Sequence, residues 1–347
     1  MRHCVFLILM LCVLPASFVQ AAPAQQSFTD WQVTCNNQNF CIARNTGEHN
    51  GLVMTLSRSA GAKADAVLRI DLGGLSTPDP KEPAIASRLR LDGEPLALDI
   101  PHWQITSWRL TTDDPAIITT LLTTLQQKKA ITLDKGKQTL SLNGLKEAIQ
   151  FIDAQQKRGG SETAWSNKGD EPPLSVPPAP ALKEVAVVNP TPTPLSREER
   201  SDLVDYGTWR MNNSQCSLDP TRREVRVTAL TDDKALLMIS CEAGAYNTVD
   251  LAWLVSRQKP FASHAVRLRL PFVASSESSD MELMNASFDE KSRELTTLAL
   301  GRGIADCGIQ TRWRFTGQRF RLVRYAEEPS CDNWHGPDAW PTLWITR

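Results

Sequence analysis

Apolar and polar positions alternate with period two over many short stretches of this chain, and follow helical spacing over only a few. Trp31, Val33 and Cys35 alternate with Gln32 and Thr34, the pattern of a half-buried strand. Val53, Thr55 and Ser57 alternate with Leu52, Met54 and Leu56 in the same way. Asp114 then Pro115 opens a helix: aspartate caps it, and proline takes the first position, where its missing amide costs nothing. Ile117, Ile118, Leu121, Leu122 and Leu125 form its apolar stripe. A hairpin turning at Lys135 and Gly136 leads to a second helix near Asn143. Leu145, Ala148, Ile149 and Ile152 make its buried face, while Lys146, Glu147, Gln150 and Asp153 point elsewhere. The first half therefore reads as an α+β unit, a sheet with helices packed beside it.

The second half is more plainly β. Alternating runs recur at 224–229, 235–241, 248–255, 265–270, 294–300, 311–316 and 319–325, mostly separated by turn-prone residues. This spacing predicts an antiparallel sandwich or barrel. Between the halves, from Gly169, the sequence GDEPPLSVPPAPALKEVAVVNPTPTP can neither pair strands nor continue helices. In extended polyproline geometry the stretch from Pro172 to Pro194 spans up to roughly 70 Å. Ser196 with Glu199 has capping-box spacing and restarts the fold. The expected organisation is a signal at 1–21, an α+β domain at 22–168, a Pro-rich linker at 169–195 and a β-rich domain at 196–347. As a whole the chain is expected to be mainly β with a few helices.

The amino terminus sets the compartment. Arg2 and His3 precede an apolar run over 5–13, Pro15 breaks it, and Val19, Gln20 and Ala21 supply a cleavage site. That run is shorter than the roughly 20 residues a bilayer span needs, and no later stretch of that length lacks charge. A soluble, exported, periplasmic protein without a transmembrane anchor is expected. Export makes disulfides the leading reading of the cysteines. Cys4 and Cys12 leave with the signal. Cys35 and Cys41 fall before the Pro-rich tract and pair with each other. Cys307 and Cys331 lie almost symmetrically about the turn at Thr316, Gly317 and Gln318, and so pair. Cys216 and Cys241 remain, flanking a second strand pair. Cys-x-x-Cys spacing is absent, the histidines are isolated in sequence, and no glycine-rich phosphate loop or His-Glu-x-x-His helix occurs, so neither metal nor cofactor is expected. With 38 Lys and Arg against 39 Asp and Glu, nothing global recruits nucleic acid.

Two places carry candidate chemistry. In TRWRFTGQRFRLVRY, Arg312 and Arg314 alternate with Trp313 and Phe315, and Arg319 and Arg321 with Phe320 and Leu322. Side by side they form one outer basic patch that Arg267 and Arg269 extend. Guanidinium groups suit carboxylate or phosphate, so the partner would be an anionic envelope glycan, a lipid phosphate or an acidic periplasmic protein. The competing reading is a solvated sheet face offset by Glu282, Asp289 or Glu290. The second place is CDNWHGPDAWPTLWITR, where Trp334, Trp340 and Trp344 crowd Asp332, His335 and Asp338. Tryptophans stack on sugars, and a carboxylate with a histidine serves acid–base catalysis. Core closure is the competing reading there.

Three segments together resemble an exported Gram-negative family catalogued as domain of unknown function 1176. The first is FTDWQVTCNNQNFCIARN, with Trp31, Cys35 and Cys41. The second is SLNGLKEAIQFIDAQQKRGG, with Ser141, Leu142, Gly144, Ala148, Asp153, Gln156 and Arg158. The third is GRGIADCG, with Asp306, Cys307 and Gly308, followed by the strand and turn at 313–317 and by Cys331. Gly159, Gly160 and Ser161 depart mildly from the Gly-Thr usual in that family after the arginine. The opening more faintly resembles the invasion-associated locus B proteins. The resemblance implies a periplasmic location and brings no catalytic residues. The leading expectation is a non-enzymatic binding or envelope-protective protein. The alternatives are a cell-wall hydrolase using Asp332, His335 and Asp338, or an inhibitor of a lysozyme-like enzyme.

Overall fold

Strand-forming residues pair antiparallel in every sheet. The computed structural model describes residues 22–63, 65–73, 82–133, 137–186, 191–273 and 280–347. The expected signal with Cys4 and Cys12, the turn residues Lys135 and Gly136, and 187–190 of the Pro-rich tract lie outside the described residues. The first half is built on a seven-stranded sheet in the order Ala24–Phe28, Trp31–Cys35, Cys41–Asn45, Leu52–Arg58, Ala66–Leu72, Arg109–Thr112, Gln104–Ile105. Its apolar residues share one core with the helices Pro115–Leu125 and Leu145–Gln155 and with a second, four-stranded sheet. Asp114 caps the first helix as its chemistry requires, accepting from the amides of Ala116 at 2.9 Å and Ile117 at 3.2 Å. Ile118, Leu121, Leu122 and Leu125 are buried, whereas Ile117 is only partly so.

Two departures from the alternating pattern share one cause, which is that the polar faces are covered. Asp153 does not point to solvent. It is buried, its Oδ1 paired with Arg58 and its Oδ2 accepting from the Trp165 and Ser166 amides at 2.9 and 2.7 Å. The Arg58 guanidinium in turn lies 3.6 Å over the Trp165 ring. Trp31–Cys35 is buried on both faces rather than half-buried. Gln32 and Thr34 look solvent-facing in sequence, but the carboxyl-terminal segment closes over them, with Ser330 Oγ 3.1 Å from Gln32 Oε1.

In the second half, two five-stranded antiparallel sheets share a core that includes Leu236, Met238, Leu295, Trp313, Phe315 and Leu322. The first sheet carries Val225–Ala229, Lys234–Ala243, Thr248–Ser256 and Ser263–Ala265, with Leu283–Met284 added to the third of these. The second sheet runs Ser287–Asp289, Glu294–Leu300, Gly308–Phe315, Phe320–Glu328, Thr342–Ile345. The expected strand at 265–270 is broken into Ser263–Ala265 and Leu268–Arg269, which belong to different sheets. The outer face of the first sheet, with Val227, Leu237 and Ile239, is covered by the helix Arg197–Asn212 through Leu203 and Met211. Its capping box forms: Glu199 N donates to Ser196 Oγ at 3.1 Å, and Ser196 N donates to Glu199 Oε2 at 2.8 Å.

Glu199 also accepts from Arg257 at 3.0 Å, and that contact, ahead of the Ser196 amide, pulls its carboxyl down to about 2 from 4.5. A depressed carboxyl stabilises the fold above its unfolded value and loses that contribution as the pH falls toward the folded value. Glu199→Gln is therefore expected to flatten the acid side of a stability–pH curve between about 4.5 and 2 and to leave the slope above pH 5 unchanged, as followed by urea unfolding.

The three expected disulfides are present: Cys35–Cys41, Cys216–Cys241 and Cys307–Cys331. The Pro-rich tract does not hold the halves apart. Backbone amides of Val185 and Arg347 donate to the carbonyls of Arg347 and Lys183 at 2.8 and 2.9 Å, so the tract is laid beside the carboxyl-terminal end. Farther along, Thr193 N donates to Asp232 and Arg257 donates to the Thr193 carbonyl, both at 2.8 Å. Polyproline stiffness sets the reach of a free chain, whereas carbonyls left without intrasegment partners are free to accept from a neighbouring surface.

Candidate functional site: a buried ion network and a basic cleft

The two halves meet through the short Cys35–Cys41 loop. Asn37 Nδ2 donates to the Ile345 carbonyl and its Oδ1 accepts from the Ile345 amide, each at 2.9 Å, as a strand neighbour would. Beside this contact, Arg44 on the strand Cys41–Asn45 reaches across to Glu328 at 2.8 Å and to Asp332. Glu328 is fully buried, and its other oxygen accepts from Ser330 N at 3.0 Å. His49 Nδ1 accepts from Gly51 N at 2.9 Å, which places the ring proton on Nε2, 3.3 Å from Asp332 Oδ2. Burial alone would raise the Asp332 carboxyl, but His49 and Arg44 together hold it below the usual carboxylate range.

The three residues expected to converge as a catalytic set are not assembled as one. Asp332 is engaged by Arg44 and His49, whereas His335 Nε2 lies 3.1 Å from Glu328. Asp338 stands exposed on the helical turn Pro337–Ala339 and takes no part in that network. Trp340 is 2 % exposed and donates from Nε1 to the His335 carbonyl at 3.3 Å, so it closes the core and offers no face for stacking. Trp344 is buried as well. Trp334 stays half-buried, edge-on to His49, and with His335, Arg44 and Glu328 borders a cavity of about 400 Å³ between the halves. Sequence reasoning missed Arg44 and Glu328, because single polar residues on an alternating strand look like a solvent face, and His49, because it is isolated in the loop between Cys41–Asn45 and Leu52–Arg58.

The arginine patch is also divided. A bulge after Arg312 shifts the register, setting Arg312 opposite Arg324 and Arg314 opposite Arg321. Burial, and then the like charge of Arg312, lower the Arg324 guanidinium below its ordinary range. Arg314 is neutralised by Glu294 at 2.9 Å and donates to the Val185 carbonyl at 3.2 Å. Glu294, and not Glu282, Asp289 or Glu290, is thus the carboxylate that offsets Arg314, because it lies directly across the strand pair. Arg267 and Arg269 share Asp280 at 3.6 and 3.2 Å. Arg319 and Arg321 are exposed, and their guanidinium groups have no ion pair or hydrogen bond among the described residues. They line a cleft of about 1010 Å³ together with Arg267, Arg269, Lys183 and Lys234, against Glu184 and Asp233. Four of the six expected arginines, counting Arg267 and Arg269, therefore border one cavity.

The family model described as "Protein of unknown function (DUF1176)" matches residues 25–347. The chain belongs to the DUF1176 family. It is 74 % identical over 347 residues to "Uncharacterized protein YpfG" of Escherichia coli (strain K12), covering 100 % of both chains. No solved structure matches it. Nothing in these matches carries the fainter likeness to the invasion-associated locus B proteins. In this DUF1176 chain the motif residues quoted from its sequence hold the fold together. Gln156 Oε1 accepts from Arg58 and Arg158 at 2.7 and 2.9 Å, and Arg158 donates to the Gly61 carbonyl at 2.7 Å. Asp306, fully buried, accepts from Arg302 Nε at 2.8 Å and from Asn333 N at 2.6 Å beside the Cys307–Cys331 disulfide. No helix among the described residues is long and apolar enough to cross a membrane.

Proposed function

We propose that this protein is an exported, periplasmic, non-enzymatic binding protein that engages an anionic component of the cell envelope through the basic cleft. The observation that carries the reading is the pair Arg319 and Arg321, exposed and without partners among the described residues, in a cleft that also holds Arg267, Arg269, Lys183 and Lys234. Surface arginines with no structural duty, gathered in a concavity, focus field toward an anion. The three disulfides accord with an oxidising compartment. The same reading divides the chain into units at 22–168 and 196–347, with 169–195 as a connector that is tied down at Val185 and Thr193. The hydrolase reading has less behind it, because Asp332 is already neutralised by Arg44 and its neighbour Asp338 faces solvent.

Co-sedimentation of the mature protein with washed Escherichia coli envelope fragments tests this. Wild type is expected to sediment at low salt and to be released at high salt. Arg319→Glu/Arg321→Glu is expected to lower the bound fraction about tenfold, without release of soluble peptidoglycan fragments by either protein. A double variant that sediments like wild type overturns the proposal, as does turnover abolished by Asp332→Asn.

A further inference from the structure

The cleft is more than a ring of charge. Its wall is formed by Leu254, Val266, Phe320 and Leu322, where the core between the two sheets opens at one edge. Leu254 and Val266 are only partly buried although they pack on that core. A purely ionic ligand would make no use of the apolar wall. A glycan would need aromatic faces and side-chain amides, and the Trp344 ring is only 3 % exposed.

Resting on the reading of this cleft as an anion site, we infer that it takes a lipid phosphate, specifically a single-chain phospholipid. The phosphate pairs with Arg319 and Arg321. The acyl chain lies against Leu254, Val266, Phe320 and Leu322. The volume, about 1010 Å³, is at the upper end of small-ligand cavities.

Titration calorimetry of the mature chain, below the micellar concentration, separates the parts. The probes are glycerol 3-phosphate, monoacyl glycerol phosphates of increasing chain length, and a monoacyl phosphocholine. Affinity is expected to rise about fourfold for each methylene buried. The phosphomonoester is expected to bind about tenfold more tightly than the phosphocholine of equal chain. Arg319→Glu/Arg321→Glu is expected to abolish that headgroup preference and to keep the chain-length dependence. If glycerol 3-phosphate binds as tightly as its acylated forms and is lost in the double variant, the lipid inference fails and the anion site stands. If no phosphate probe distinguishes wild type from the double variant, both fail.

Discussion

Arg44→Met is expected to cost about 3–5 kcal/mol of unfolding free energy, because it leaves buried carboxylates without their cation. Glu328 is 0 % exposed and the Asp332 side chain 11 %, so water does not take over from the guanidinium. The loss falls on the contact between the halves, since Arg44 comes from the first sheet and both acids from the carboxyl-terminal segment. The variant is therefore expected to lower the urea midpoint and also to enlarge the radius of gyration in solution scattering before global unfolding. Arg44→Met combined with Glu328→Gln and Asp332→Asn is expected to recover most of the loss, as the stranded charges are then gone. A single variant as stable as wild type would show that the halves are joined mainly by the Asn37 pairing and not by the ion network.

Gly144→Ala is expected to cost at least about 2–3 kcal/mol and to reduce the yield of folded protein. Gly144 sits at the start of the helix Leu145–Gln155 with φ of 94°, and a Cβ there would lie 1.8 Å from the Phe28 carbonyl oxygen. Both causes act together: a left-handed backbone that only glycine adopts without penalty, and a clash with backbone that has no rotamer to change. Two controls separate them. Gly93 has φ of 92° with nothing within 4 Å of an added Cβ, so Gly93→Ala is expected to lose about 1 kcal/mol from backbone strain alone. Gly159 has neither constraint, and Gly159→Ala is expected to stay within about 0.5 kcal/mol of wild type. Equal effects at Gly144 and Gly93 would mean that the Phe28 approach is relaxed at no cost.

Most strands, the Asp114 and Ser196 caps and all three disulfide pairings were legible in the sequence, since each depends on local patterning or on cysteine position. What was not legible depends on contacts distant in sequence. Gln32, Thr34 and Arg44 alternate as an outer face should, and only the return of residues 328–345 buries them. Asp153 occupies a polar helix position, yet Arg58, 95 residues earlier, turns it inward. At the candidate site, the arginine alternation matches the paired strands Gly308–Phe315 and Phe320–Glu328. It did not foresee the bulge after Arg312 or the reach of Glu294, which remove Arg312 and Arg314 from the patch and leave Arg319 and Arg321. Trp340 and Trp344 offer no face to a sugar because they fill the core, where large aromatic side chains contribute most.

Backbone hydrogen exchange of the chain from residue 22 onward, alone and with a detergent extract of the Escherichia coli envelope, tests the assignment of function to the cleft most directly. Slowed exchange is expected in Phe320–Glu328, Thr342–Ile345 and Ser263–Ala265, with Cys41–Asn45 and Leu52–Arg58 unchanged, and Arg319→Glu/Arg321→Glu is expected to erase it. Protection confined to Cys41–Asn45 and the segment around Trp334 and His335, with the cleft strands unaffected, would contradict it and place function at the junction between the halves.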